Sequence, residues 1–256
     1  MVRRLILLLG GLLVANALPV NADSCTLRVA VAASFRPALE QVLPEFECSD
    51  QCSVQLSSGS SGVLYQQVVH RAPFDLFLSA DRERPELLEK RGGALAESRH
   101  TYALGLLALW HPDSEVNIER LLQTWPEKIV LADPKVAPFG RAAQQALQSL
   151  GMWSKKQLQL ARAHNAGQAY LMLDSGNARM GFVAASQMQA AGRDNFWLLP
   201  QRLYSPIEQQ LVIPTQSRRP EKARALADYL RSAEVQAQLQ QLGYGLLPAQ
   251  SGGDEL

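Results

Sequence analysis

Three short loops carry the residues of this chain that are best suited to chemistry. Each follows a predicted strand, contains small or hydroxyl residues and precedes a predicted helix; they span residues 32–34, 59–62 and 138–140. The first turn of a helix presents unpaired backbone N–H groups and the positive end of the helix dipole, which together bind anions. The hydroxyls of Ser34 and Ser61 would add donors without adding charge. For one loop alone, N-capping is the commoner use of such a serine, but three loops together favour an oxyanion site.

The charges around these loops predict which anion would fit. The loops contain no cation and no carboxylate, although Arg36 and Arg141 follow within two residues. A protonated phosphate needs an acceptor that faces its P–OH group, because an unmatched proton in a dry site is costly. A fully ionised tetrahedral dianion needs donors alone. The loops therefore predict a preference for sulfate, molybdate or tungstate over phosphate.

Enzymatic alternatives find little support in the sequence. Residues 59–62 read GSSG, which is not the G-x-S-x-G turn of the α/β-hydrolases. An exported serine hydrolase would also need a histidine partner, and the histidines fall in predicted helix ends and surface loops: His70, His100, His111 and His164. Three aspartates flank strand ends, where capping and turn formation are their usual roles: Asp75, Asp81 and Asp133. We therefore expect neither an enzyme nor a cofactor.

Alternating strands and helices must position the three loops. Apolar runs predict strands at residues 27–33, 53–56, 75–79, 102–110, 129–132, 180–185 and 207–213. Helical spacing predicts helices at residues 35–47, 63–70, 118–125, 141–150, 166–173, 221–231 and 233–242. This pattern predicts an α/β protein with mostly parallel sheets flanked by helices. The length of 256 residues suits two lobes with the ligand between them: residues 23–102 plus 212–256, and residues 103–211.

The N-terminal 22 residues have the pattern of a secretory signal peptide. Arg3 and Arg4 precede an apolar run at residues 5–14, and small residues at 20–22 suit cleavage. An alternative, a lipoprotein acylated on Cys25, is disfavoured by Asp23 and Ser24. Removing residues 1–22 takes away two arginines and no acid, so the net charge changes from +1 to −1. Such a charge balance argues against nucleic acid as a binding partner, because proteins that bind its phosphate backbone carry an excess of Lys and Arg.

Three cysteines remain in the exported chain, namely Cys25, Cys48 and Cys52. In an oxidising compartment, two of them are expected to form a disulfide. Either a Cys48–Cys52 bridge or a bridge from Cys25 is compatible with the sequence. A zinc site is disfavoured, because there is no second pair of ligands and no histidine nearby.

Several ordered segments resemble the molybdate-binding periplasmic proteins of bacterial ABC importers, which are two-lobed, class II solute-binding proteins. The resemblance covers residues 27 to about 248 and rests on VAVAASF (29–35), SSGSSGVLYQQVVHRAPFDLFLSAD (57–81), SRHTYALGLLALW (98–110), ADPKVAPFGRAA (132–143), HNAGQAY (164–170), GFVAASQ (181–187) and GYGLLP (243–248). The serine-glycine loop followed by AP-x-D-L-F-x-S-A-D is the most specific of these segments.

The resemblance implies a set of anion-binding residues. From the first lobe it implies Ala33 and Ser34, together with Ser61 and the adjacent Ser60. From the second lobe it implies the backbone amides of Phe139 and Ala166. The resemblance also implies three departures from the family: Phe139 stands where many members have tyrosine, Ala184 where some have tyrosine, and Ser34 where some have asparagine. The site is thus expected to have fewer side-chain donors.

The resemblance also implies a mechanism and partners. A tetrahedral oxyanion, molybdate or tungstate, would bind between the lobes, and only the closed form would satisfy all of its oxygens. A monomer in the periplasm would then deliver the anion to an inner-membrane ABC permease that is driven by its ATPase. Three other hypotheses stay open: a binding protein for another oxyanion such as sulfate, a less favoured exported serine hydrolase, and a periplasmic sensor or adaptor that responds to no small ligand.

Overall fold

A computed structural model of the chain describes residues 25–50, 52–111, 118–155 and 159–247. The predicted signal peptide at residues 1–22 lies outside the described residues. No helix in the described part of the chain has both the length and the apolar character that crossing a membrane requires.

Strands and helices alternate along most of the described chain. The strands are β1 Cys25–Ala32, β2 Cys52–Gly59, β3 Leu76–Leu78, β4 His100–Gly105, β5 Leu107–Trp110, β6 Ile129–Ala132, β7 Leu160–Ala163, β8 Met180–Ala184, β9 Phe196–Leu198 and β10 Ile207–Val212. The helices are α1 Arg36–Asp50, α2 Ser61–Val69, α3 Glu83–Lys90, α4 Ile118–Thr124, α5 Pro138–Ser149, α6 Ala166–Asp174, α7 Ala185–Ala190, α8 Pro220–Arg231 and α9 Ala233–Gln241.

Two five-stranded sheets form the two lobes, which confirms the predicted fold class. The first sheet has the order β2-β1-β3-β10-β4 and the second has the order β7-β6-β8-β5-β9. In each sheet four strands point in the same direction, and one strand, β10 in the first sheet and β5 in the second, runs antiparallel to its two neighbours. Helices cover both faces of each sheet, so successive strand residues enter different cores. In β6, for example, Ile129 and Leu131 pack on one side and Val130 on the other.

The chain crosses between the sheets at places that differ from the predicted boundaries. The apolar run at residues 102–110 was predicted to be one strand, and this prediction is wrong: β4 ends at Gly105 in the first sheet, and β5 begins at Leu107 in the second. On the return, β10 from Ile207 already belongs to the first sheet. The crossovers therefore lie at Leu106 and before Ile207, rather than at 102/103 and 211/212. A continuous apolar run does not reveal where the chain leaves one sheet and enters the other, because β4 and β5 are both largely buried and apolar.

A disulfide joins Cys25 to Cys52. These residues begin β1 and β2, which run parallel and place Cys25 opposite Cys52, with their Cα atoms 4.6 Å apart. The alternative Cys48–Cys52 bridge is thereby excluded. The choice depends on the register of two strands that are remote in the sequence, which is why the cysteine spacing left it open.

Most predicted elements are present with shifted ends, and a few were missed. The sequence predicted that residues 138–140 form a loop and that a helix follows; instead they form the first turn of α5. Proline suits the first helical position, because its fixed φ angle is helical and the N–H it lacks would have no partner there. The elements that the sequence patterns did not predict are α3, β7, α7 and β9. All are short, and the period of the apolar pattern is weakest in such segments.

Candidate functional site

The helix N-termini of the two lobes face each other across a closed cleft. From the first lobe, the Gly62 N–H at the start of α2 donates a 3.0 Å hydrogen bond to the Val136 carbonyl, just before α5 of the second lobe. Nearby, Gly167 at the start of α6 packs so closely on the first lobe that a Cβ there would lie 3.3 Å from the Ala33 Cβ. The start of α2 thus meets the segment before α5, and the start of α6 meets the loop between β1 and α1.

The loop between β1 and α1 holds Ala33 and Ser34 at this junction. The Ala33 N–H donates to the Gly59 carbonyl at 2.9 Å, which ties this loop to the loop before α2. Ser34 is buried, with 2% of its surface exposed, and its Oγ has no hydrogen-bond partner within the described chain. A buried polar atom without a partner costs about 1–3 kcal/mol. The Ser34 hydroxyl is therefore free to bind a ligand in the cleft.

Ser61 and Ser60 occupy the start of α2 and have different roles. Ser61 is fully buried, and its Oγ accepts the Ala80 N–H at 2.9 Å. This bond occupies a lone pair of the oxygen and leaves the O–H proton available to donate. Ser60 is the N-cap, and its Oγ accepts the Val63 N–H at 3.4 Å. The capping interpretation thus describes the Ser60 side chain, whereas the Ser61 hydroxyl can donate into the cleft.

Phe139 and Ala166 present backbone amides from the second lobe. Phe139 is the second residue of α5, whose start has no capping side chain among the described residues. Its ring is buried in the core, so the backbone N–H is the donor it offers. Ala166 is the first residue of α6, where the Asn165 side chain accepts the Gln168 N–H at 2.9 Å. This cap leaves the N–H of Ala166 to other partners.

A glycine at the third position of α5 is required by the packing of that helix. A Cβ on Gly140 would overlap the carbonyl of Ala132, the last residue of β6. The small residue allows α5 to begin directly against the end of its strand. As a result, the unpaired N–H groups of α5 lie beyond the carboxyl end of β6, and ligands of open α/β sheets bind at such strand ends.

The arginines closest to these loops are paired with carboxylates. Arg36 contacts Glu40 at 2.7 Å on the exposed side of α1. Arg84 pairs with Asp81. Its guanidinium lies beside Gly62, since a Cβ on this glycine would be 3.0 Å from the Arg84 Nη2. Arg141 reaches across the cleft from α5 and pairs with Glu83 of the first lobe. The hydroxyls and backbone amides are thus left as the donors for a ligand.

Comparison with known proteins identifies the family. The family described as bacterial extracellular solute-binding protein matches residues 27–245. The chain belongs to this family. It is 37% identical over 251 residues to the molybdate-binding protein ModA of Azotobacter vinelandii, covering 95% of this chain and 97% of that protein. It is 35% identical over 236 residues to ModA of Rhodobacter capsulatus, covering 91% and 93% of the two chains.

A solved structure agrees with this assignment. The periplasmic molybdate-binding protein of Azotobacter vinelandii superposes with a TM-score of 0.82 at 35% identity, over 87% of this chain and all of that one. The resemblance to molybdate-binding proteins is confirmed. The family binds solutes, so the expectation that the chain is not an enzyme is also confirmed.

The structure places two of the four histidines of this solute-binding protein, His111 and His100, within the packing of its lobes. His111 is buried in the second lobe between Trp125 and Trp197. His100 lies in β4, where burial lowers its pKa. Ser61, the serine closest to a hydrolase motif, accepts from a backbone amide rather than donating to an imidazole. Within the described residues, no cluster of three or more His, Cys, Asp or Glu side chains is suited to a metal ion.

Two polar residues that lie at the junction of the two lobes were not identified as candidate site residues from the sequence of this solute-binding protein. Tyr244, in the segment after α9, donates from its hydroxyl to the Ser34 carbonyl at 3.3 Å. Ser186, in α7 of the second lobe, is 5% exposed, and its Oγ finds no hydrogen-bond partner in the described chain. Both belong to the GFVAASQ and GYGLLP segments, which were quoted for the resemblance and not for their hydroxyls. Ala184 is buried at the end of β8 and offers no side-chain donor.

Proposed function

We propose that this protein captures molybdate, and also tungstate, in the cleft between its lobes. The ligands are the hydroxyls of Ser34 and Ser61 and the backbone amides of Phe139 and Ala166. Ala33 and Ser60 complete the two loops of the first lobe. The observation that carries the proposal is the unpartnered, buried Ser34 hydroxyl, in a loop whose Ala33 contacts Gly59 before α2 and Gly167 at the start of α6.

The chemistry of this donor set favours a dianion without protons. Hydroxyls and helix N-terminal amides donate hydrogen bonds and stabilise negative charge. The proposed set contains no carboxylate that would accept a proton from phosphate. Molybdate, tungstate and sulfate are fully ionised at neutral pH and match a site of this kind. The names of the relatives from Azotobacter vinelandii and Rhodobacter capsulatus support molybdate among these anions.

Closure of the cleft supplies the signal for transport. The first lobe contributes Ser34 and Ser61, and the second contributes Phe139 and Ala166, so the anion binds best when both sets surround it. In this proposal, residues 1–22 direct export to the periplasm. The closed monomer then docks on an inner-membrane ABC permease, whose ATPase drives uptake of the anion.

Titration of the mature chain, residues 23–256, with four anions tests the proposal. Calorimetry and the fluorescence of the tryptophans, which lie in the second lobe, are measured with molybdate, tungstate, sulfate and phosphate. We expect one molybdate or tungstate per chain, and binding of sulfate at least about 100-fold weaker, or about 2.7 kcal/mol. Phosphate should give no response. Equal affinity for sulfate would contradict the specificity, and no response to any of the anions would overturn the function.

Two further measurements test the cellular part of the proposal. Cells that express the full chain should release the protein with the periplasmic fraction, and its N-terminus should lie near residue 23. Light scattering should give the mass of a monomer with and without molybdate. Retention of an uncleaved chain in the cytoplasm would contradict the export, and a dimer formed with molybdate would contradict the monomer.

A further inference from the structure

The segment at residues 242–245, here called the C-terminal strap, runs beside the crossover between the lobes. It follows α9 of the first lobe, and its Gly245 N–H donates to the Leu104 carbonyl at 2.9 Å. Leu104 and Gly245 form an isolated antiparallel bridge at the end of β4. The strap is therefore anchored to the strand that leads into the second lobe.

The strap also packs against the second lobe through Gly243. A Cβ at this position would lie 3.0 Å from Gln189 Cγ and 3.3 Å from both Cα and N of Ser186 in α7. The φ angle of Gly243 is +83°, a conformation that other residues rarely adopt. The strap thus reaches α7 at a point where no side chain fits between them.

Tyr244 connects the strap to the anion site. Its hydroxyl donates to the Ser34 carbonyl at 3.3 Å, and its ring packs edge-to-face on Phe35 with the centroids 5.5 Å apart. The side chain is 5% exposed, and burial raises the pKa of the Tyr244 hydroxyl. The hydroxyl therefore stays protonated and serves as a donor at neutral pH.

The Tyr244 hydroxyl contacts residues of both lobes, the Ser34 carbonyl in the first and the Ser186 side chain in the second. Ser34 belongs to the first lobe, and its Oγ lacks a partner within the described residues. Ser186 belongs to the second lobe, and its side chain is close enough to affect the Tyr244 hydroxyl, although its Oγ makes no hydrogen bond of regular geometry within the described residues. Because unpaired buried hydroxyls are costly, a small movement that pairs Ser186 with Tyr244 would stabilise the closed arrangement.

We propose that Tyr244 is a positioning residue for the anion site and that Ser186 is its partner in the second lobe. Tyr244 fixes the backbone of Ser34 and so directs the Ser34 hydroxyl into the cleft. Its contact with Ser186 makes this orientation depend on the closed position of α7. The inference rests on the proposed function, since the effect is measured as affinity for the anion.

The Tyr244→Phe variant tests the role of the hydroxyl while keeping the ring. We expect molybdate to bind roughly three- to tenfold more weakly, the range for loss of one neutral hydrogen bond. Tyr102→Phe is the matched control, because Tyr102 is fully buried against the same Phe35 but bonds the Ser79 carbonyl and Gln209 within the first lobe. Its affinity should stay within about twofold of the original chain, because its hydroxyl does not contact the site.

A double-mutant cycle separates positioning from a general loss of structure. If Tyr244 acts through the Ser34 hydroxyl, Tyr244→Phe should change the affinity by less than about twofold in a chain that already carries Ser34→Ala. Ser186→Ala should weaken binding by about threefold, and it should add little to Tyr244→Phe. Since the Ser186 hydroxyl makes no regular hydrogen bond within the described residues, we expect this variant to retain the fold even if Tyr244→Phe does not.

The outcomes distinguish the inference from the proposed function. If the original chain binds molybdate and Tyr244→Phe binds it equally well, the inference is overturned and the function stands. Full additivity of Tyr244→Phe with Ser34→Ala would also overturn it. If the original chain binds none of the four anions, the proposed function itself fails.

Discussion

The Gly62 N–H donates a 3.0 Å hydrogen bond to the Val136 carbonyl and thereby joins the start of α2 in the first lobe to the segment before α5 in the second. A Cβ at Gly62 would lie 2.9 Å from the same carbonyl oxygen and 3.1 Å from Val136 Cα. Both groups are backbone and have little freedom to move aside. Because the bond joins backbone groups of the two lobes, we expect it to break when the cleft opens.

Replacement of Gly62 by alanine should impair closure and leave each lobe folded. We expect molybdate affinity to fall by roughly tenfold or more, because the added methyl keeps the backbones apart. The unliganded chain should be as stable as before or slightly more stable, since alanine favours a helix over glycine by about 0.5–1 kcal/mol. Calorimetry gives the affinity, and small-angle scattering with and without molybdate gives the degree of closure.

Gly59→Ala is the matched control for this prediction. A Cβ at Gly59 would meet the Leu64 side chain at 3.5 Å, an ordinary contact within the first lobe. The affinity of Gly59→Ala for molybdate, and its compaction on binding molybdate, should match those of the original chain. Normal compaction of Gly62→Ala with molybdate would show that this contact does not limit closure.

Replacement of Ser61 by alanine should weaken anion binding without unfolding the protein. A hydrogen bond to a charged group contributes about 1.5–3 kcal/mol, so we expect the affinity to fall about 10- to 100-fold. The Ala80 N–H also loses its acceptor, which should lower the free energy of unfolding by about 1–2 kcal/mol. Ser58→Ala is the control, since Ser58 is exposed on the neighbouring strand. Unchanged affinity of Ser61→Ala would remove this hydroxyl from the site.

The Arg141–Glu83 ion pair between the lobes predicts a small pH dependence of closure. The hydrogen bond from Arg141 holds the pKa of Glu83 below its ordinary value. The closed form thus binds protons less readily at Glu83 than an open form without the pair. The ion pair should favour closure above the ordinary pKa of Glu83 and lose this effect as the pH falls through the lowered value.

The Glu83→Gln variant isolates this pH dependence. Because Glu83 is 54% exposed, its contribution should be below about 1 kcal/mol. At neutral pH the variant should bind molybdate slightly more weakly, and the difference from the original chain should vanish at low pH. Comparing both chains at each pH cancels protonation of the ligand itself. A constant ratio of affinities down to pH values well below the ordinary carboxyl range would contradict the prediction.

Removal of the Cys25–Cys52 disulfide should affect stability and not affinity. The bond closes a loop with a sequence separation of 27 residues, for which the chain-entropy treatment gives about 3–4 kcal/mol. The cysteines begin β1 and β2, at the opposite end of these strands from Ser34 and Ser61. We expect the double variant Cys25→Ser with Cys52→Ser to melt about 6–16 °C lower and to bind molybdate normally. A melting temperature equal to that of the original chain would contradict the assigned role.

Local sequence patterns were sufficient to predict the fold class and most of the elements that position the site. The strand before Ser34 and the helix that begins near Ala166 are encoded by apolar periodicity and by capping residues close to them in the chain. The N-terminal turn of a helix has unpaired amides wherever it forms. For this reason, short windows of sequence indicated an anion site with donors alone.

The tertiary structure decided the features that join residues remote in the sequence. The register of β1 and β2 selected Cys25 as the partner of Cys52. The change of sheet at Leu106 divided an apolar run that is uniform in sequence. Tyr244 contacts both Ser34 and Ser186 because three separate elements fold against one another, and no spacing in the chain reveals this. Local propensities thus determined what forms, whereas packing of the two lobes determined which hydroxyls are left without partners.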